Sequence, residues 1–583
     1  MNFPYQPVRR WSRKSIPEPA KNLDPSGLPP WLVSLMAQRG VSDRQTIDAF
    51  LSPRVEHLHR PTELEGISAA VQRVALAKQH GERIAIVGDY DVDGVTATAL
   101  LAAVFRATGL EVEVILPNRL QEGYGFQLLH VERAAAAGCS LIVTADCGTT
   151  AVDAVRAAKG RNIDVVITDH HLAAEEPIPG AIEVNPKRQA GEHPFMDLAG
   201  AGVALNLAIA VAEHFERSVD VGTLLRVACL GTICDLVPLV GENRTIAAVG
   251  LQELAKTRSV GLRELMRSAD VRSPVTSSDV GFRLGPRLNA AGRMSRPDEA
   301  LELLMTRDRD RAVALAHQLD EWNRSRQAAE TRVVEEAMEA IALRGSLAAI
   351  LVAWSEAWHP GVVGIAAGRI ARKANRPTVL FSVDGESATG SGRSIVDIHL
   401  HEFLSTWEER YERFGGHAQA IGIKVRAQDL ESLRAAWEES ADSLWDEESL
   451  TKTLSYELEI PVGEIDNEMV AQIRSLEPFG MGNPEPRIRV GPLRPRGRPR
   501  FFGKGHLALE AEGEDGSHID LLGWGWEERA RDLEGSFEVL GCLEIDRYTQ
   551  KPVLRLVDAR PWNPQRPSIE QEAAPARRMR DDG

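Results

Sequence analysis

The chain has 583 residues, which is enough for about four domains of ordinary size, so a single compact core is not expected. Hydrophobic residues make up 43% of the sequence and charged residues 26%, which is typical of a folded globular protein and excludes a collagen-like or disulfide-stapled chain. The net charge of −16 argues weakly against nucleic-acid binding, although a local basic groove or bound divalent cations are compatible with it.

The sequence shows no signal for export or membrane insertion. The longest uncharged apolar run, residues 198–212, is too short to span a bilayer, and the basic N-terminus lacks the apolar core of a signal peptide. The five cysteines form no CxxC pair, which favours reduced thiols. We therefore expect a cytoplasmic protein that does not contact a membrane.

The first half of the chain predicts a helical region followed by an α/β domain. In residues 1–75, the segments 31–39 and 46–51 carry apolar residues at helical spacing. From 76 to 297, short apolar runs rich in β-branched residues alternate with alanine-rich stretches, which predicts βαβ units and a mainly parallel sheet. Each run ends in polar or acidic residues, at the carboxyl end of a strand, where open α/β sheets bind their ligands.

The second half predicts a connector and two more domains. Residues 298–345 are rich in helix-forming residues and lack Pro and Gly between 299 and 343, so we expect one long connecting helix. Residues 346–443 predict a second α/β region, and residues 444–563 predict a small OB-like β-barrel that includes a Pro/Gly-rich joint at 477–486. Residues 564–583 predict a disordered tail. The predicted fold class is α/β with a C-terminal barrel.

Three acidic residues alternate in GDYDVDG, at residues 88–94. An extended segment would direct Asp89, Asp91 and Asp93 to one side, where a cation would relieve their mutual repulsion. The alternatives are a solvated acidic turn and a calcium EF-hand loop. An EF-hand needs a bidentate Glu at the twelfth position, where this chain has Leu100, and it follows a helix rather than an apolar strand-like run.

Further candidate ligands follow other predicted strands. Asp146 comes after one strand, Asp169, His170 and His171 come after the next, and Asp235 lies further along in GTICDLVPL. Each alone could be structural, for example as a helix cap, but together they favour a shared site. Carboxylates with imidazoles suit Mn²⁺ or Mg²⁺, whereas the absence of CxxC and HExxH argues against zinc. Two ions would use four or five carboxylates and would suit phosphoryl displacement.

These acidic segments, GDYDVDG, TADCG, TDHH and GTICDLVPL, resemble the motifs of the DHH phosphoesterases. Later segments, among them FRLGPRLNAAGRM, FGGHAQAIGI and LEPFGMGNPEP, resemble the RecJ family of single-strand-specific exonucleases. The resemblance implies a DHH domain at 76–297, a DHH-associated domain at 346–443 and an OB fold, arranged around a groove. It also implies degradation of single-stranded DNA from the 5′ end to 5′ mononucleotides, dependent on two Mn²⁺ or Mg²⁺ ions, in DNA recombination and repair.

Carried over residue by residue, the resemblance implies a catalytic metal site whose ligands are Asp89, Asp91, Asp93, Asp146, His170 and Asp235. It further implies that His171 ligates a metal or hydrogen-bonds the scissile phosphate, while Asp169 orients an imidazole.

Several cationic or polar residues are candidate contacts for the substrate. The short segments PRLNAAGRM, GSGRS and GGHAQA supply side chains that suit phosphate oxygens or the terminal phosphate: Arg287, Asn289, Arg293, Ser391, Arg393 and His417. An arginine in the first segment could instead pair with an acid across a domain joint. The His in GGHAQA could instead be a buried residue of a glycine turn.

The stretch from 487 to 506 is basic and contains no acid. It includes Phe501 and Phe502. Aromatic rings interleaved with cations suit a single nucleic-acid strand, because the cations pair with its phosphates while the rings stack on its bases. A solvated turn is the alternative. The candidate groove residues are Arg496, Arg498, Arg500 and Lys504.

Three other functions compete with the one that the resemblance implies. Other DHH enzymes, which act on short oligoribonucleotides, cyclic-dinucleotide products or 3′-phosphoadenosine phosphate, lack the joint and the barrel. The inorganic pyrophosphatases carry a leading His that GDYDVDG lacks. A nuclease-inactive DNA-binding scaffold is disfavoured by the complete acidic set. We therefore expect a monomer that acts on single-stranded DNA, with a single-strand-binding protein and a helicase as partners.

Overall fold

The computed structural model of this protein describes residues 7–15, 27–41, 43–118, 122–123, 125–174, 176–345 and 347–563. The described residues divide into two compact units: one lies within the ranges 1–9 and 55–452, and the other lies within the ranges 10–54 and 453–583. The tail predicted at 564–583 lies outside the described residues. None of the helices in the described ranges is long and apolar enough to cross a membrane.

The N-terminal region packs against the C-terminal barrel in one of these units. It contains strand β1 (Arg9–Arg13) and helices α1 (Pro30–Ala37) and α2 (Arg44–Leu51). Apolar residues of both helices belong to the same hydrophobic core as the barrel. The sequence predicts residues 1–75 as a single region, whereas the structure divides them between the two units near residue 54.

The first α/β domain contains a parallel five-stranded sheet in the order β3-β2-β4-β5-β6. Alternate residues of each inner strand face different hydrophobic cores, so both faces of the sheet are covered, as parallel sheets require. Because β2, β4 and β5 are parallel neighbours, the residues that follow them meet at one edge of the sheet. The strands are β2 (Arg83–Gly88), β3 (Glu111–Ile115), β4 (Cys139–Ala145), β5 (Asp164–Thr168) and β6 (Ala181–Val184).

Helices surround this sheet and continue beyond it. A π-helical turn at Val280–Leu284 joins two of them. The helices are α3 (Ile67–His80), α4 (Val92–Ala107), α5 (Leu128–Ala136), α6 (Val152–Lys159), α7 (Gly200–His214), α8 (Val221–Cys234), α9 (Gly241–Ala255), α10 (Val260–Ser268), α11 (Ser277–Asp279), α12 (Gly285–Met294) and α13 (Asp298–Met305).

The connector is broken into two helices, α13 and the 34-residue α14 (Arg309–Ala342). Asp308 begins α14 because its side chain accepts hydrogen bonds from the backbone amides of Asp310 and Arg311. The sequence predicts one continuous helix over 298–345 because no Pro or Gly marks this break. The uninterrupted part, α14, is about 50 Å long.

The second α/β domain contains a mixed five-stranded sheet in the order β10-β11-β9-β8-β7, in which β7 and β8 run parallel. Trp437 is fully buried against Phe381, which fixes the last helix of the domain to the sheet. The elements are β7 (Leu351–Ser355), α15 (Pro360–Ala374), β8 (Thr378–Asp384), β9 (Ser387–Arg393), α16 (Leu400–Ser405), β10 (Arg413–His417), β11 (Ala420–Arg426) and α17 (Leu430–Leu444).

The C-terminal domain is a small closed barrel, since five of its strands form a ring in the order β14-β18-β19-β17-β16 and β16 pairs back to β14. The sequence does not single out β14 as a strand; a bulge between Val490 and Leu493 accommodates its central proline. The elements are β12 (Lys452–Tyr456), β13 (Leu458–Glu459), α18 (Asn467–Arg474), β14 (Ile488–Pro495), β15 (Arg500–Phe502), β16 (His506–Gly513), β17 (His518–Gly523), β18 (Phe537–Ile545) and β19 (Pro552–Pro561).

The Pro/Gly-rich joint at 477–486 is a structural anchor within this unit. Asn483 is fully buried, and its side-chain nitrogen donates hydrogen bonds to the carbonyls of Leu476 and Pro478 at 2.8 and 2.9 Å. Its side-chain oxygen accepts a hydrogen bond from Arg39 Nε at 2.6 Å. The joint therefore holds the end of α1 against the barrel.

Candidate metal centre

Acidic and imidazole side chains converge where β2, β4 and β5 end. Among the described residues, three overlapping groups of candidate ligands occur, and within each group the ligand atoms all lie within 4.8 Å of one another. Asp89, Asp93 and Asp146 are buried, Asp91, His170 and Asp235 are partly buried, and His171 is exposed, so several carboxylates share a site that is largely shielded from water. The groups are Asp89 with Asp91 and Asp146, Asp93 with His170 and Asp235, and Asp146 with His170 and His171.

The GDYDVDG segment reaches this site through a helix start rather than through an extended strand. Asp91 precedes the first residue of α4 and caps the helix by accepting a hydrogen bond from the Gly94 amide at 3.0 Å. Asp93 lies in the first turn of α4 and Asp89 directly follows β2. Because the segment after Asp91 is helical, the structure is incompatible with an EF-hand loop starting at Asp89.

Asp93 is held by the beginning of another helix. Its two carboxylate oxygens accept hydrogen bonds from the backbone amides of Gly200 and Ala201, at 2.6 and 2.9 Å, where α7 begins. A glycine is required opposite it on α8, since a Cβ at Gly231 would lie 2.4 Å from Asp93 Oδ1. The position of Asp93 is therefore fixed by three helices, α4, α7 and α8.

Asp235 comes from a helix end and completes the cluster. It follows α8 directly, and its Oδ2 lies 3.5 Å from His170 Nε2. The same imidazole nitrogen lies 3.2 Å from Asp146 Oδ1 and 3.8 Å from Asp93 Oδ2. One imidazole thus faces three carboxylates.

Leu236, which follows Asp235 in the chain, has a positive φ of 62° and is 66% exposed, which is unusual for a branched side chain.

Asp169 lies beside the cluster, and its carboxylate is occupied by neighbouring donors. One oxygen accepts hydrogen bonds from the amides of His170 and His171 and from His171 Nδ1, the last at 2.8 Å. The other oxygen accepts a hydrogen bond from the Thr149 amide at 2.9 Å. Asp169 therefore orients His171 and does not join the three groups of candidate ligands.

The buried carboxylates of the cluster hold protons more tightly than ordinary aspartates. Burial, together with repulsion from Asp91, raises the pKa of Asp93 to about 7. Burial and the charge of Asp93 raise the pKa of Asp235 to about 8, and the same two causes raise the pKa of Asp146 well above its usual value. A divalent ion would displace these protons.

The two histidines differ in charge although they are adjacent. Burial and the neighbouring His171 lower the pKa of His170 to about 4, so this imidazole is neutral at neutral pH. Burial alone would lower the pKa of His171, but the hydrogen bond and negative charge of Asp169 outweigh it and raise that pKa to about 9. His171 is therefore cationic at neutral pH. Burial would raise the pKa of Asp169, yet hydrogen bonds from His171 and Thr149 hold it well below its usual value.

The donor set fits a divalent cation with oxygen and nitrogen ligands. Asp146 Oδ1 and His170 Nε2 are buried, and neither makes a hydrogen bond within the described part of the chain. Such atoms need a partner, and a cation between them would supply it. Carboxylates with a neutral imidazole suit Mn²⁺ or Mg²⁺, which agrees with the cofactors predicted from the sequence.

Comparisons with known proteins match three family models to successive parts of the chain. The DHH family N-terminal domain matches residues 83–232, the DHHA1 domain matches 347–442 and the RecJ OB domain matches 456–557. The single-stranded-DNA-specific exonuclease RecJ of Bacillus subtilis is 35% identical over 91% of this chain and 68% of that protein. The enzyme of the same name from Dickeya dadantii is 32% identical over 92% of this chain and 97% of that protein.

The chain belongs to the RecJ family.

Solved structures agree with this assignment. RecJ from Thermus thermophilus in complex with Mn²⁺ is 28% identical and superimposes with a TM-score of 0.80, covering 95% of this chain and 80% of that one. The Mg²⁺ complex of the same enzyme gives a TM-score of 0.75 at 26% identity, covering 95% and 79%. The predicted α/β fold with a C-terminal barrel is confirmed. The RecJ-family protein is accordingly a metal-dependent hydrolase of the DHH class.

Arg287, a predicted substrate contact, is engaged inside the protein. Its side chain forms an ion pair with Asp320 of α14, at 2.8 Å between Arg287 Nη2 and Asp320 Oδ1, and its Nη1 donates to the Arg283 carbonyl at 2.7 Å. Both partners of the ion pair are largely buried. This ion pair corresponds to the alternative in which an arginine of the segment pairs with an acid across a domain joint, and it ties α12 to α14.

Asn289 and Arg293 lie on α12, one near the metal cluster and one near the second α/β domain. Asn289 Oδ1 accepts a hydrogen bond from the Val92 amide at 3.2 Å, which supports the start of α4. Arg293 Nη1 lies 3.5 Å from the Gly361 carbonyl at the start of α15. These two residues therefore connect the acidic cluster with the neighbouring domain of the same unit.

The predicted contacts of the second α/β domain lie together on its sheet. Arg393 on β9 and His417 on β10 both have Ala420 of β11 as a register partner, so the two lie on either side of one residue. A Cβ on Gly364 of α15 would lie 3.2 Å from Ser391 Oγ, which shows how closely the helix approaches β9. Partial burial and the positive charge of Arg393 lower the pKa of His417.

The basic stretch of the barrel carries exposed rings as well as exposed cations. The rings of Phe502, His506 and Trp524 have centroids 4.8–6.0 Å apart, and Trp524 is 55% exposed. The residues predicted from the sequence do not include Trp524, because it lies on another loop, after β17. Its place in GWGW, with two closely spaced tryptophans, could have indicated an aromatic surface. Arg496 forms an ion pair with Glu510, with 3.5 Å between Arg496 Nη1 and Glu510 Oε1. The remaining predicted groove cations are exposed: Arg498, Arg500 and Lys504.

Proposed function

We propose that this protein is an exonuclease that degrades single-stranded DNA from the 5′ end by two-metal-ion hydrolysis of phosphodiester bonds. Its products would be 5′ mononucleotides, and its role would lie in DNA recombination and repair. The observation that carries the proposal is the convergence of six predicted ligands from separate segments into overlapping groups. Relatives named as single-stranded-DNA-specific exonucleases support the choice of substrate.

The proposed ligands are Asp89, Asp91, Asp93, Asp146, His170 and Asp235, and two bound ions would stabilise the charge that develops on the attacking and leaving oxygens. The chain itself supplies the remaining parts. His170 is neutral and directs a nitrogen into the cluster, so it acts as a ligand. His171 is cationic and held by Asp169, so it hydrogen-bonds a phosphate oxygen and stabilises negative charge there.

The proposed path of the strand uses two sets of residues. Within the α/β unit, Arg293, Ser391, Arg393 and His417 would contact phosphates. In the barrel, exposed cations would neutralise the backbone while Phe501, Phe502 and Trp524 stack on bases, which is worth about 1–3 kcal/mol per base. This arrangement is independent of base sequence, as an exonuclease requires.

The experiment that tests the function compares strands labelled at either end. Single-stranded DNA labelled at the 5′ or the 3′ end, duplex DNA and RNA are each incubated with the protein and Mn²⁺ or with a chelator. We expect immediate release of 5′-labelled mononucleotide from single-stranded DNA only, and no release with the chelator. Asp235→Asn should abolish release because it removes a charge from the cluster while keeping the shape of the side chain.

Asp153→Asn is the matched control, since Asp153 is a highly exposed acid on α6 that pairs with Arg156. It should behave as the unaltered protein does. Release of the 3′ label first would refute the polarity, and full activity of Asp235→Asn would refute the metal site. The expected monomeric state, cytoplasmic location and association with a single-strand-binding protein and a helicase stay predictions.

A further inference from the structure

A buried amide on α9 connects the two segments that carry Asp93 and Asp235. Asn243, in the first turn of α9, is only 2% exposed. Its side-chain nitrogen donates hydrogen bonds to the carbonyls of Asp197 and Pro238, at 2.5 and 3.1 Å. Since both partners are carbonyl oxygens, the amide nitrogen rather than the amide oxygen must face them.

The two residues whose carbonyls are bound lie three residues along the chain from Gly200 and from Asp235, respectively. Asp197 precedes Gly200, whose amide donates to Asp93 at 2.6 Å. Pro238 follows Asp235, whose carboxylate faces His170. The Asn243 side chain therefore links the segment before Gly200, whose amide binds Asp93, to the loop after Asp235.

The start of α9 is itself held rigidly, so this amide is a fixed point. Glu242 accepts a hydrogen bond from Asn206 of α7 at 3.2 Å, and its other oxygen lies 2.8 Å from His59 Nδ1. Asn206 also donates to the Gly202 carbonyl at 3.0 Å, in the first turn of α7. The beginnings of α7 and α9 thus form one hydrogen-bonded body to which the Asp235 loop is attached through Asn243.

We propose that Asn243 is a positioning residue that sets the separation of Asp93 and Asp235 and thereby controls one of the two ion positions, the one formed with His170. This inference rests on the proposed two-ion function. The ion position meant is the group of Asp93, His170 and Asp235, whereas the group of Asp89, Asp91 and Asp146 draws its first two residues from the end of β2 and the start of α4. Asp146 is fixed separately, because its amide donates to the Thr168 carbonyl of β5 at 3.0 Å.

Loss of the amide should therefore affect the two ions unequally. In Asn243→Ala, the carbonyls of Asp197 and Pro238 lose their shared donor, and the loop after Asp235 is free to move relative to α7. We expect one Mn²⁺ to bind as in the unaltered protein and the other to bind at least 10-fold more weakly. Exonuclease activity should fall at low Mn²⁺ and return at high Mn²⁺, because the ligands themselves remain.

The measurement is a titration of the full-length protein with Mn²⁺, in which the free ion is followed by electron paramagnetic resonance, so the readout does not depend on catalysis. Asn483→Ala is the matched control. Asn483 is also buried and also donates to two backbone carbonyls, but it lies in the barrel unit. Thermal unfolding of both variants shows whether the loss of stability is comparable. If Asn243→Ala does not fold, Asn243→Ser, which keeps a hydroxyl donor, takes its place.

Selective weakening of one ion in the Asn243 variant, with both ions unchanged in Asn483→Ala, supports the proposal. Wild-type binding of both ions to a folded Asn243 variant overturns it. So does the same weakening in Asn483→Ala, because the effect would then follow from general destabilisation. If the unaltered protein binds fewer than two ions, the two-ion function itself fails, and that failure is recognised without reference to any variant.

Discussion

Gly231 on α8 is the position at which a single added methyl group should disturb the metal cluster most directly. A Cβ there would lie 2.4 Å from both Asp93 Oδ1 and Thr96 Oγ1, and 2.7 Å from the Ala201 Cβ. Ordinary van der Waals contact begins at 3.4 Å, so two of these distances are short by about 1 Å. We therefore expect Gly231→Ala to force a displacement rather than to fill a gap.

The neighbours of Gly231 have little freedom to move away. Asp93 is bound to the amides of Gly200 and Ala201, and Thr96 Oγ1 donates to the Val92 carbonyl at 2.8 Å. Overpacking of this kind costs about 1–3 kcal/mol of unfolding free energy. A displacement of about 1 Å at a reacting centre costs about 100-fold in rate. Gly231→Ala should therefore lower kcat about 100-fold at a modest cost in stability.

The assay combines thermal unfolding, Mn²⁺ titration and single-turnover release of a labelled nucleotide. Gly222→Ala is the matched control, because it lies on the same helix and the atoms nearest to its Cβ would belong to the side chains of Glu253 and Asp220, at 3.2–3.4 Å. We expect Gly222→Ala to retain normal Mn²⁺ affinity and rate. A folded Gly231→Ala protein with normal kcat would show that α8 moves away without disturbing Asp93, which would contradict the prediction.

Three further predictions concern pH, His171 and the barrel. In the metal-free protein, the free energy of unfolding should fall as pH rises from about 4 to about 8, because buried carboxylates with raised pKa values, such as Asp235, must lose their protons. Thermal unfolding with and without Mn²⁺ measures this change. In Asp169→Asn, the pKa of His171 should fall from about 9, so the alkaline limit of the pH–rate profile should move to lower pH. Replacing three barrel cations by Ala should weaken DNA binding and reduce the slope of log K against log salt by about 2; the substitutions are at Arg498, Arg500 and Lys504.

Each of these predictions has a result that would contradict it. Stability of the metal-free protein that rises between pH 5 and pH 8 would mean that the carboxylates are not protonated. An unchanged alkaline limit in Asp169→Asn would show that His171 does not need its charge. An unchanged salt slope in the triple variant would place the strand elsewhere. Arg44→Ala removes a single exposed cation from α2 of the same unit and serves as a control that should leave the slope unchanged.

The positions of the acidic motifs after predicted strands predict much of the metal site. Asp89, Asp146 and His170 follow apolar runs, and parallel strands bring their carboxyl ends to one edge, so their convergence follows from local pattern and general topology. Asp235 was harder to place, because it follows a helix rather than a strand. The break at 306–308 was not predictable from breaker residues, since a side-chain cap rather than Pro or Gly causes it.

Other properties depend on residues far apart in the sequence. Arg287 and Arg293 belong to the same segment, yet one pairs with Asp320 on the connecting helix and the other lies at the second α/β domain. The opposite pKa shifts of His170 and His171 likewise depend on burial and on which ring nitrogen faces Asp169. Local sequence does not contain these distances.

The family was predicted from the resemblance of the motifs. The kinds of domain and the types of ligand were predicted from strand and helix periodicity and from the chemistry of carboxylates, which are local properties of the sequence. The packing of remote segments determines which carboxylates share an imidazole, which predicted substrate cation is paired within the protein and which buried amide holds two loops together. Charge–charge energies and hydrogen bonds change over fractions of an ångström, and such distances between remote segments arise only when the helices and strands pack.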